Sequence, residues 1–426
     1  MKQGLVPALA RGAYSLLLRL ATPLYFLRLW WRGRHEPLYR AFWAERLGGG
    51  AVPQPGRLWL HAVSLGETRA AAPLMDALRA QRPGITFLLT HGTATGRDAG
   101  RTLLQAGDTQ AWLPYDTPGA VRRFLRRHQP ALGVVMETEV WPNLLHAARA
   151  AGLPLVLANA RLSERSRIKG QRLAALMHPA MACFNQVLAQ TEADAQRLRA
   201  SSAANVQVVG NLKFDITPDA QLLALGKAWR TSLTRPVVLA AVTREGEEAL
   251  LLQAWREQEK PRPLLLVVPR HPQRFDEVAG LITQAGFTLA RRSQWRDSPN
   301  DEAHTADVWL GDSIGEMPVY YAAADVALLG GSFAPLGGQN LIEAAACGCP
   351  LVMGPHTFNF AQAAELALAA GAAVRVVDMP SAVTQALQLL GADAAAAVGE
   401  RARAFAQAHQ GAARRMAQCI AQAWPR

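Results

Sequence analysis

Glu67 is the first residue whose type and position suggest chemistry. It lies in HAVSLGETRAAAPL, residues 61–74, where the apolar run Leu58 to Leu60 gives way to a polar turn and a helix-forming segment. The apolar run predicts a strand, so Glu67 would stand at the carboxyl edge of a sheet, where open α/β proteins bind ligands. Ser64 and Glu67 also have the spacing of a capping box, which satisfies backbone donors at a helix start. The string alone therefore allows two interpretations, a helix cap and a chemically active carboxylate.

Two more strings in the first half place charged residues after predicted strands. METEVWPN, residues 136–143, puts Glu137 and Glu139 at the sheet edge, before a helix that Pro142 opens. GNLKFD, residues 210–215, ends the same half with Lys213. Lys213 would either neutralise charge on a leaving phosphate or an acidic sugar, or form a structural ion pair with Glu137.

The second half contains a glycine-rich turn, GGSFAPLGGQNLIEAAACGCPLVMGPHTFNF, residues 330–360. Gly330 and Gly331 end a predicted strand, and Asn340 opens the next predicted helix. Glycines let the backbone approach a phosphate closely, and a helix start offers unpaired N–H groups. Glu343, one turn into that helix, would accept hydrogen bonds from a ribose diol. The combination predicts a nucleotide site.

Two other strings are predicted to reach the same site. PRHPQRF, residues 269–275, follows a strand directly, so Arg270 would meet a phosphate or a base. GDSIGEMPVYYAAADV, residues 311–326, places Ile314, Gly315 and Glu316 at a helix start, where their backbone groups would face a nucleobase edge. The alternative for each string is a salt bridge or a helix cap.

Short apolar runs alternate with helical stretches beyond residue 55, which predicts doubly wound parallel sheets. The pattern stops between Asn211 and Pro236 and then restarts, so we expect two Rossmann-like domains that face each other across a cleft. The predicted strands are 58–61, 85–90, 132–136, 155–158, 187–189 and 206–209 in the first half, and 237–241, 264–268, 308–310, 326–329, 351–353 and 374–377 in the second.

The length of 426 residues agrees with two domains, since a single core rarely grows so large. We expect an N-terminal segment over 1–50, a first domain over 51–215, a linker over 216–235 and a second domain over 236–393. A last helix, over about 394–424, would return to the first domain. The four cysteines are too few and too poorly spaced for a disulfide framework or a zinc site, which favours a reducing, cytoplasmic setting.

The N-terminal segment carries half of the net charge of +12, with eight Lys/Arg against two Glu over residues 1–50. It is rich in Leu and aromatic residues, but arginines interrupt it and Pro23 is expected to break its middle. Arg11, Ser15, Arg19 and Thr22 fall on one side of a helix, which predicts an amphipathic helix in the membrane headgroup region. A short tilted anchor and a helix packed on the protein itself are the alternatives.

Taken together, the strings resemble the transferases of 3-deoxy-D-manno-octulosonic acid (Kdo) that act in lipid A assembly in Gram-negative bacteria. The matching strings run in the same order over roughly residues 55–365: HAVSLGE, METEVWPN, ANARLSERS (158–166), GNLKFD, PRHPQRF, GDSIGE, the GGS…GGQNLIEAA region and MGPHTFNF. The basic, apolar N-terminus is also similar to that family's membrane-associating segment.

The resemblance implies a GT-B glycosyltransferase that uses CMP-Kdo, held by the C-terminal domain, and a tetraacylated lipid A precursor, held by the N-terminal domain. It implies an inverting transfer without metal or cofactor at the cytoplasmic face of the inner membrane. Glu67 would be the general base, ionised because a helix N-terminus keeps its pKa low. Glu137 and Lys213 would stabilise the transition state. The implied CMP-binding residues are Pro269, Arg270, Ile314, Gly315, Glu316, Asn340, Leu341, Ile342 and Glu343.

One position departs from the family pattern. AVTREGEE, residues 241–248, has Arg244 where the family often has His, so an added contact to phosphate or carboxylate is one expectation. The chain contains no Asp-x-Asp, so a metal-held nucleotide is not expected, and it lacks an RNA-binding aromatic signature. A membrane-associated transferase that uses a UDP-sugar, and a catalytically silent membrane scaffold, are the other function classes.

Overall fold

The computed structural model describes residues 2–50 and 55–424. The chain divides into two compact units. The first comprises Met1–Asp215 and Gln410–Arg426, and the second comprises Ile216–His409. Each unit is built on a parallel sheet of seven strands.

The sheet of the first unit has the order β3-β2-β1-β4-β5-β6-β7, so β1 and β4 are neighbours from which the chain winds outward in opposite directions. Side chains alternate between its faces: Trp59 packs into the core with α5 and α6, whereas Leu58 and Leu60 pack into the core with α3 and α19. The strands are β1 Leu58–His61, β2 Phe87–His91, β3 Thr109–Trp112, β4 Leu132–Met136, β5 Leu155–Ala160, β6 Gln186–Ala189 and β7 Val206–Val208. The helices are α1 Lys2–Arg32, α2 Trp43–Arg46, α3 Leu65–Gln81, α4 Ala94–Arg101, α5 Pro118–His128, α6 Pro142–Ala150, α7 Glu164–Gln171, α8 Ala174–Met181, α9 Glu192–Ala200 and α19 Ala412–Gln422, with short 3₁₀ helices at Pro37–Arg40 and Leu212–Phe214.

The sheet of the second unit has the order β10-β11-β9-β8-β12-β13-β14, and here β8 and β12 are the neighbours from which the chain winds outward. The strands are β8 Val237–Thr243, β9 Leu264–Pro269, β10 Leu289–Arg291, β11 Val308–Leu310, β12 Val326–Leu329, β13 Leu351–Met353 and β14 Ala373–Arg375. The helices are α10 Ala220–Ser232, α11 Glu247–Arg256, α12 Phe275–Gln284, α13 Asp301–Thr305, α14 Met317–Ala323, α15 Leu341–Ala346, α16 Ala361–Ala369, α17 Met379–Leu389 and α18 Ala392–Ala408, with 3₁₀ helices at Pro272–Arg274, Arg292–Gln294 and Phe358–Phe360.

The doubly wound parallel architecture expected from the alternating pattern is confirmed, with three differences in detail. The sequence did not predict the edge strands β3 and β10. The stretch 216–235 contains α10, which packs on α14. The expected last helix is two helices: α18 stays in the second unit, and α19 alone joins the first, where Met416 and Ile420 enter the core with α3.

The N-terminal helix α1 runs without interruption through Pro7 and Pro23. Its polar side faces the protein: the Tyr14 hydroxyl donates to Asp116 at 3.0 Å, and the Ser15 hydroxyl donates to Asn143 at 2.9 Å. The opposite side is an apolar face whose members lie between 58% and 70% exposed: Leu5, Val6, Leu9, Leu16, Leu17, Leu20, Leu24, Leu27 and Trp31. Among the residues that the structure describes, no helix has an apolar stretch long enough to cross a membrane.

Candidate functional site

Two of the predicted catalytic residues follow the central pair of strands in the first unit. Glu67 lies in the first turn of α3, which follows β1, and Glu137 directly follows β4. His61 at the end of β1 is in register with Val135 of β4, so the two strands end together. This is the point at which the winding direction reverses, and ligands of open α/β sheets bind at such switch points.

The Glu67 side chain takes part in the helix cap, one of the two roles that the sequence left open, and its carboxylate stays at the sheet edge that the other role requires. Its Oε2 accepts a hydrogen bond from the Val63 backbone N–H at 2.8 Å, and its Oε1 accepts one from the Ser64 hydroxyl at 3.1 Å. Ser64 is the N-cap of α3 and accepts from the Glu67 N–H, so the pair caps the helix, with Glu67 reaching back to Val63, one residue before the N-cap. The carboxylate is therefore held rigidly at the sheet edge.

The expectation of a low pKa for Glu67 is wrong. Burial of the carboxyl group is the main cause that raises its pKa to about 7; the hydrogen bonds from Val63 and Ser64 lower this pKa, and the nearby charges of Glu137 and Glu139 raise it. Desolvation penalises the ionised form more than the helix start favours it. A carboxylate with a pKa near neutrality is suited to accept a proton at physiological pH.

Glu137 is buried and adopts a left-handed backbone conformation, with φ of 57°. Its Oε2 accepts a hydrogen bond from Arg161 Nε at 2.9 Å, and Arg161 follows β5, the strand next to β4. Arg161 thus forms an ion pair with Glu137, the residue that the sequence considered as a structural partner of Lys213. Burial and the Glu137 charge raise the pKa of Glu139, which shows that acidic groups are crowded here.

Lys213 lies near Glu137, in the short 3₁₀ helix Leu212–Phe214. The Leu212 N–H donates to the buried side chain of Asn159 at 3.1 Å, and the Lys213 N–H donates to Asn211 at 3.0 Å. Burial lowers the pKa of Lys213, the charge of Glu137 raises it, and the charge of Arg161 lowers it. The structure thus brings together Glu67, Glu137 and Lys213, as the sequence predicted, at one edge of one sheet.

In the second unit, a buried glutamate organises the glycine-rich turn. Glu247 lies at the start of α11, after β8, and its carboxylate accepts hydrogen bonds from the backbone N–H groups of Arg244 at 2.9 Å, Gly331 at 2.8 Å and Phe333 at 3.2 Å. Gly330 must lack a side chain, because a Cβ there would lie 2.3 Å from the Val242 carbonyl oxygen. Glu247, which follows β8, thus holds the turn that follows β12; this contact is called the clamp below.

This clamp changes the expected role of the glycines. The sequence predicted that the glycines let the backbone approach a phosphate closely. The Gly331 N–H donates to Glu247, and the Gly330 and Gly338 N–H groups donate to the carbonyls of Ala241 and Gly331. These amides are already satisfied by protein acceptors. An anionic ligand at this edge would therefore not be held by these three amides.

Positive side chains stand at the same edge. Arg244 follows β8, and Arg270 and His271 follow β9, with the Arg270 N–H donating to the Thr243 carbonyl at 2.9 Å. Burial and the charges of Arg244, Arg270 and Arg274 lower the pKa of His271, so these cations are close neighbours. Within the described chain, the Arg244 guanidinium makes no hydrogen bond or ion pair, which leaves it available to an anion.

The other predicted nucleotide segments occupy helix starts of the second unit. The Glu316 carboxylate pairs with Arg292 at 2.8 Å, so this side chain is engaged in the structural contact that the sequence kept as an alternative. Gly315 has φ of 85° and Ile314 is 80% exposed, which leaves their backbone open to a ligand.

Asn340 caps α15 by accepting from the Ile342 N–H at 3.2 Å. The side chains of Leu341 and Ile342 are buried in the core, so only the backbone of these two residues can meet a ligand. Glu343 lies partly buried one turn into the helix, beside Cys347, whose pKa is raised to about 12 by burial and then by the Glu343 charge.

Sequence reasoning missed two residues of the site. Arg161 lies in the ANARLSERS string but was not singled out, and only its position after β5, beside β4, connects it with Glu137. Glu247 belongs to the AVTREGEE string, where its acidic type gave no sign that it binds backbone amides 84 residues away in sequence.

Residues 41–216 match the family model described as 3-Deoxy-D-manno-octulosonic-acid transferase (kdotransferase), and residues 273–421 match one described as Glycosyl transferase-like. Among solved structures, a glycosyltransferase from Rickettsia africae ESF-5 is similar with a TM-score of 0.55 and 14% sequence identity, covering 87% of this chain and 99% of that chain. At that identity the likeness shows the fold alone.

Two relatives found by sequence have a much higher sequence identity to this chain. The chain is 50% identical over 424 residues to the 3-deoxy-D-manno-octulosonic acid transferase of Bordetella pertussis, which covers 96% of this chain and 98% of that protein. It is 33% identical over 391 residues to the enzyme of the same name from Haemophilus influenzae, covering 89% and 90%. The chain therefore belongs to the 3-deoxy-D-manno-octulosonic acid transferases, a family of glycosyltransferases.

Proposed function

We propose that this transferase moves Kdo from CMP-Kdo to a sugar hydroxyl of a tetraacylated lipid A precursor, with inversion at the anomeric carbon. The observation that carries the proposal is the partly buried Glu67 carboxylate at the β1/β4 switch point, with a pKa raised to about 7. The acceptor would bind to the first unit and the donor to the second.

In the proposed reaction, the ionised Glu67 carboxylate takes the proton of the acceptor hydroxyl as its oxygen attacks the anomeric carbon of Kdo. The new C–O bond forms while the bond from that carbon to the CMP phosphate oxygen breaks, and CMP leaves with the electron pair. Lys213 supplies positive charge that offsets the negative charge developed during transfer. Glu137 is paired with Arg161, and its negative charge favours the protonated, positively charged form of Lys213.

On the donor side, the candidate CMP contacts are Arg270, the exposed backbone at Ile314 and Gly315, and the segment from Asn340 to Glu343. Arg244 adds a cation to this set, because its guanidinium is partly buried beside the clamped glycine turn. Arg244 would make a charge-assisted contact to the donor phosphate or carboxylate, because the Gly331 amide of the turn already donates to Glu247.

We further propose that the protein works at the cytoplasmic face of the inner membrane, attached through the apolar face of α1. An exposed run of leucines ending at Trp30 and Trp31 is the composition of a helix that lies in the membrane interface. Its inner polar contacts to Asp116 and Asn143 fix the helix so that the apolar face points outward. An acyl-chain acceptor embedded in that membrane would then be within reach of the first unit.

The decisive experiment incubates the wild type and Glu67→Gln with CMP-Kdo, generated in place, and the tetraacylated precursor, and identifies products by mass. We expect Kdo addition by the wild type and a loss of at least a hundredfold in Glu67→Gln. Glu192→Gln, which changes an exposed first-turn glutamate of α9, is the matched control and should keep full activity.

Two results would reject parts of the proposal. No product from a folded wild type that also fails to bind CMP would exclude this donor, and a panel of UDP-sugars would then be the next assay. Equal activity of the wild type and Glu67→Gln would leave Glu67 as a helix cap only.

A further inference from the structure

A groove of about 1170 Å³ lies in the first unit, between α1 and the neighbouring helices α5 and α6. The Ser15 hydroxyl of α1 donates a hydrogen bond to Asn143 of α6, and the Tyr14 hydroxyl donates one to Asp116, just before α5. These two hydrogen bonds fix α1 beside the groove. Neither Glu67, Glu137 nor Lys213 lines it. It is therefore separate from the candidate catalytic group.

The groove is positively charged. Arg11 of α1 and Arg122 and Arg126 of α5 line it, and no carboxylate is among its lining residues. His146 of α6 also lines it, but burial and the charges of Arg11 and Arg149 lower the pKa of His146, so the positive charge comes from the arginines. Within the part of the chain that the structure describes, the three guanidinium groups form no ion pair and donate no hydrogen bond. Arg122 and Arg126 are one helical turn apart, a spacing at which like charges repel. An anion between them would remove this repulsion.

The groove also opens beside apolar surface. Gly12 lines it and lies next to Leu9 and Leu16 of the exposed apolar face of α1, and a Cβ at Gly12 would meet no atom within 4 Å. Leu125, Ala147 and Leu153 add further apolar lining. A molecule with an anionic head and a hydrocarbon tail would match both surfaces at once, whereas a free phosphate would use only the arginines.

We propose that this groove binds the phosphate headgroup of an anionic membrane phospholipid, with the acyl chains against the apolar face of α1. The inference rests on the proposed membrane association of α1 and adds a lipid preference to it. Arg122 and Arg126 select the charged headgroup, and the open space at Gly12 admits it.

The first test is flotation of the full chain with phosphatidylcholine vesicles, with and without phosphatidylglycerol. We expect the wild type to bind the phosphatidylglycerol vesicles more tightly, and Arg122→Gln with Arg126→Gln to lose roughly 30-fold of that binding while keeping its binding to pure phosphatidylcholine. Arg256→Gln with Arg414→Gln removes the same charge from exposed positions away from the groove and should behave as the wild type.

The second test separates a groove from general attraction to a charged surface. Dihexanoyl phosphatidylglycerol below its micellar concentration is titrated against the wild type, Gly12→Phe and Ala13→Phe. Gly12→Phe fills the groove without changing charge and should abolish saturable binding. Ala13→Phe adds the same ring to an exposed position that does not line the groove and should preserve it.

The outcomes distinguish this inference from the proposals above. A wild type that binds no vesicle would reject the membrane association, and the dihexanoyl lipid would still decide whether the groove binds a headgroup. Inorganic phosphate that binds as tightly as the lipid would indicate a free-phosphate site and overturn the inference. A raised KM for the acceptor in a vesicle-free transfer assay of the arginine variants would reassign the groove to the acceptor and also overturn it.

Discussion

The Val63 backbone N–H and the Glu67 Oε2 atom are 2.8 Å apart, so the amide just before the α3 cap holds the carboxylate that we assign as the base. This hydrogen bond favours the ionised carboxylate. Burial acts in the opposite direction and prevails, giving a pKa of about 7. The cap fixes the position of Glu67, and its burial sets its basicity.

The acidic limb of the pH profile follows from this balance. A base acts in its ionised form, so kcat/KM for the acceptor should rise with pH and reach half of its plateau near pH 7, where Glu67 loses its proton. Glu139→Gln removes one of the negative charges that raise the Glu67 pKa, so the limb should move to lower pH. Initial rates over pH 5 to 9 test both, and a limb that stays in place in Glu139→Gln would contradict the assignment.

Lys213 and Arg161 should differ in their effects, although both lie beside Glu137. Lys213→Met removes the charge that we assign to the transition state and should lower kcat by roughly 100-fold or more. The Arg161 side chain is 53% exposed, so solvent screens its charge although Glu137 is buried, and Arg161→Gln should lower kcat by less than about fivefold. Single-turnover rates measure this contrast, and equal losses in the two variants would show that Lys213 acts only through Glu137.

Glu247 should matter for stability and donor binding together. Glu247→Ala leaves three backbone N–H groups without their acceptor, and each such buried group costs about 1–3 kcal/mol, so urea unfolding should show a loss of at least about 2 kcal/mol. CMP affinity measured by calorimetry should fall as well. Glu245→Gln, at an exposed neighbouring position, is the control, and an unchanged CMP affinity in a destabilised Glu247→Ala would separate the clamp from the donor site.

Arg244 should matter for donor binding without affecting stability. Its guanidinium has no partner within the described chain, so Arg244→Ala should melt as the wild type does while its CMP affinity falls roughly tenfold or more. If CMP binds equally well but the KM for CMP-Kdo rises, Arg244 contacts the carboxylate of the sugar. No change in either constant would remove Arg244 from the site.

The apolar face of α1 should govern membrane attachment. Leu16→Ser with Leu20→Ser exposes two hydroxyls where side chains would otherwise be buried in lipid, at about 1.5–3 kcal/mol for each leucine, so partition into vesicles should fall by at least about 100-fold. Leu250→Ser with Val377→Ser changes exposed apolar residues of the second unit and is the matched control. Equal partition of all three proteins would exclude this face as the attachment site.

The sequence by itself determined the order of most elements and the sheet edges at which the candidate site residues lie. Runs such as 58–61 and 132–136 are apolar throughout because both faces of a parallel sheet are covered, so their strands could be recognised without a structure. The edge strands β3 and β10 were not predicted because their sequences, TQAW and LAR, contain no continuous apolar run, whereas the other two edge strands, β7 and β14, lie in valine-rich stretches. The residues after β1, β4 and β9 could be assigned because parallel strands place their carboxyl ends at one edge.

Only the tertiary structure decided how these residues behave. The pKa of Glu67 depends on burial and on Glu137 and Glu139, which are distant in sequence, so the helix start alone suggested the wrong direction. The sequence indicated that the glycine turn approaches a phosphate closely, but the Gly331 and Phe333 amides of this turn donate to Glu247. Likewise, the periodicity of α1 revealed a polar and an apolar side, but the contacts of Tyr14 and Ser15 determined that the polar side packs inward. Electrostatics and hydrogen-bond satisfaction depend on neighbours that folding supplies, and local sequence patterns do not contain them.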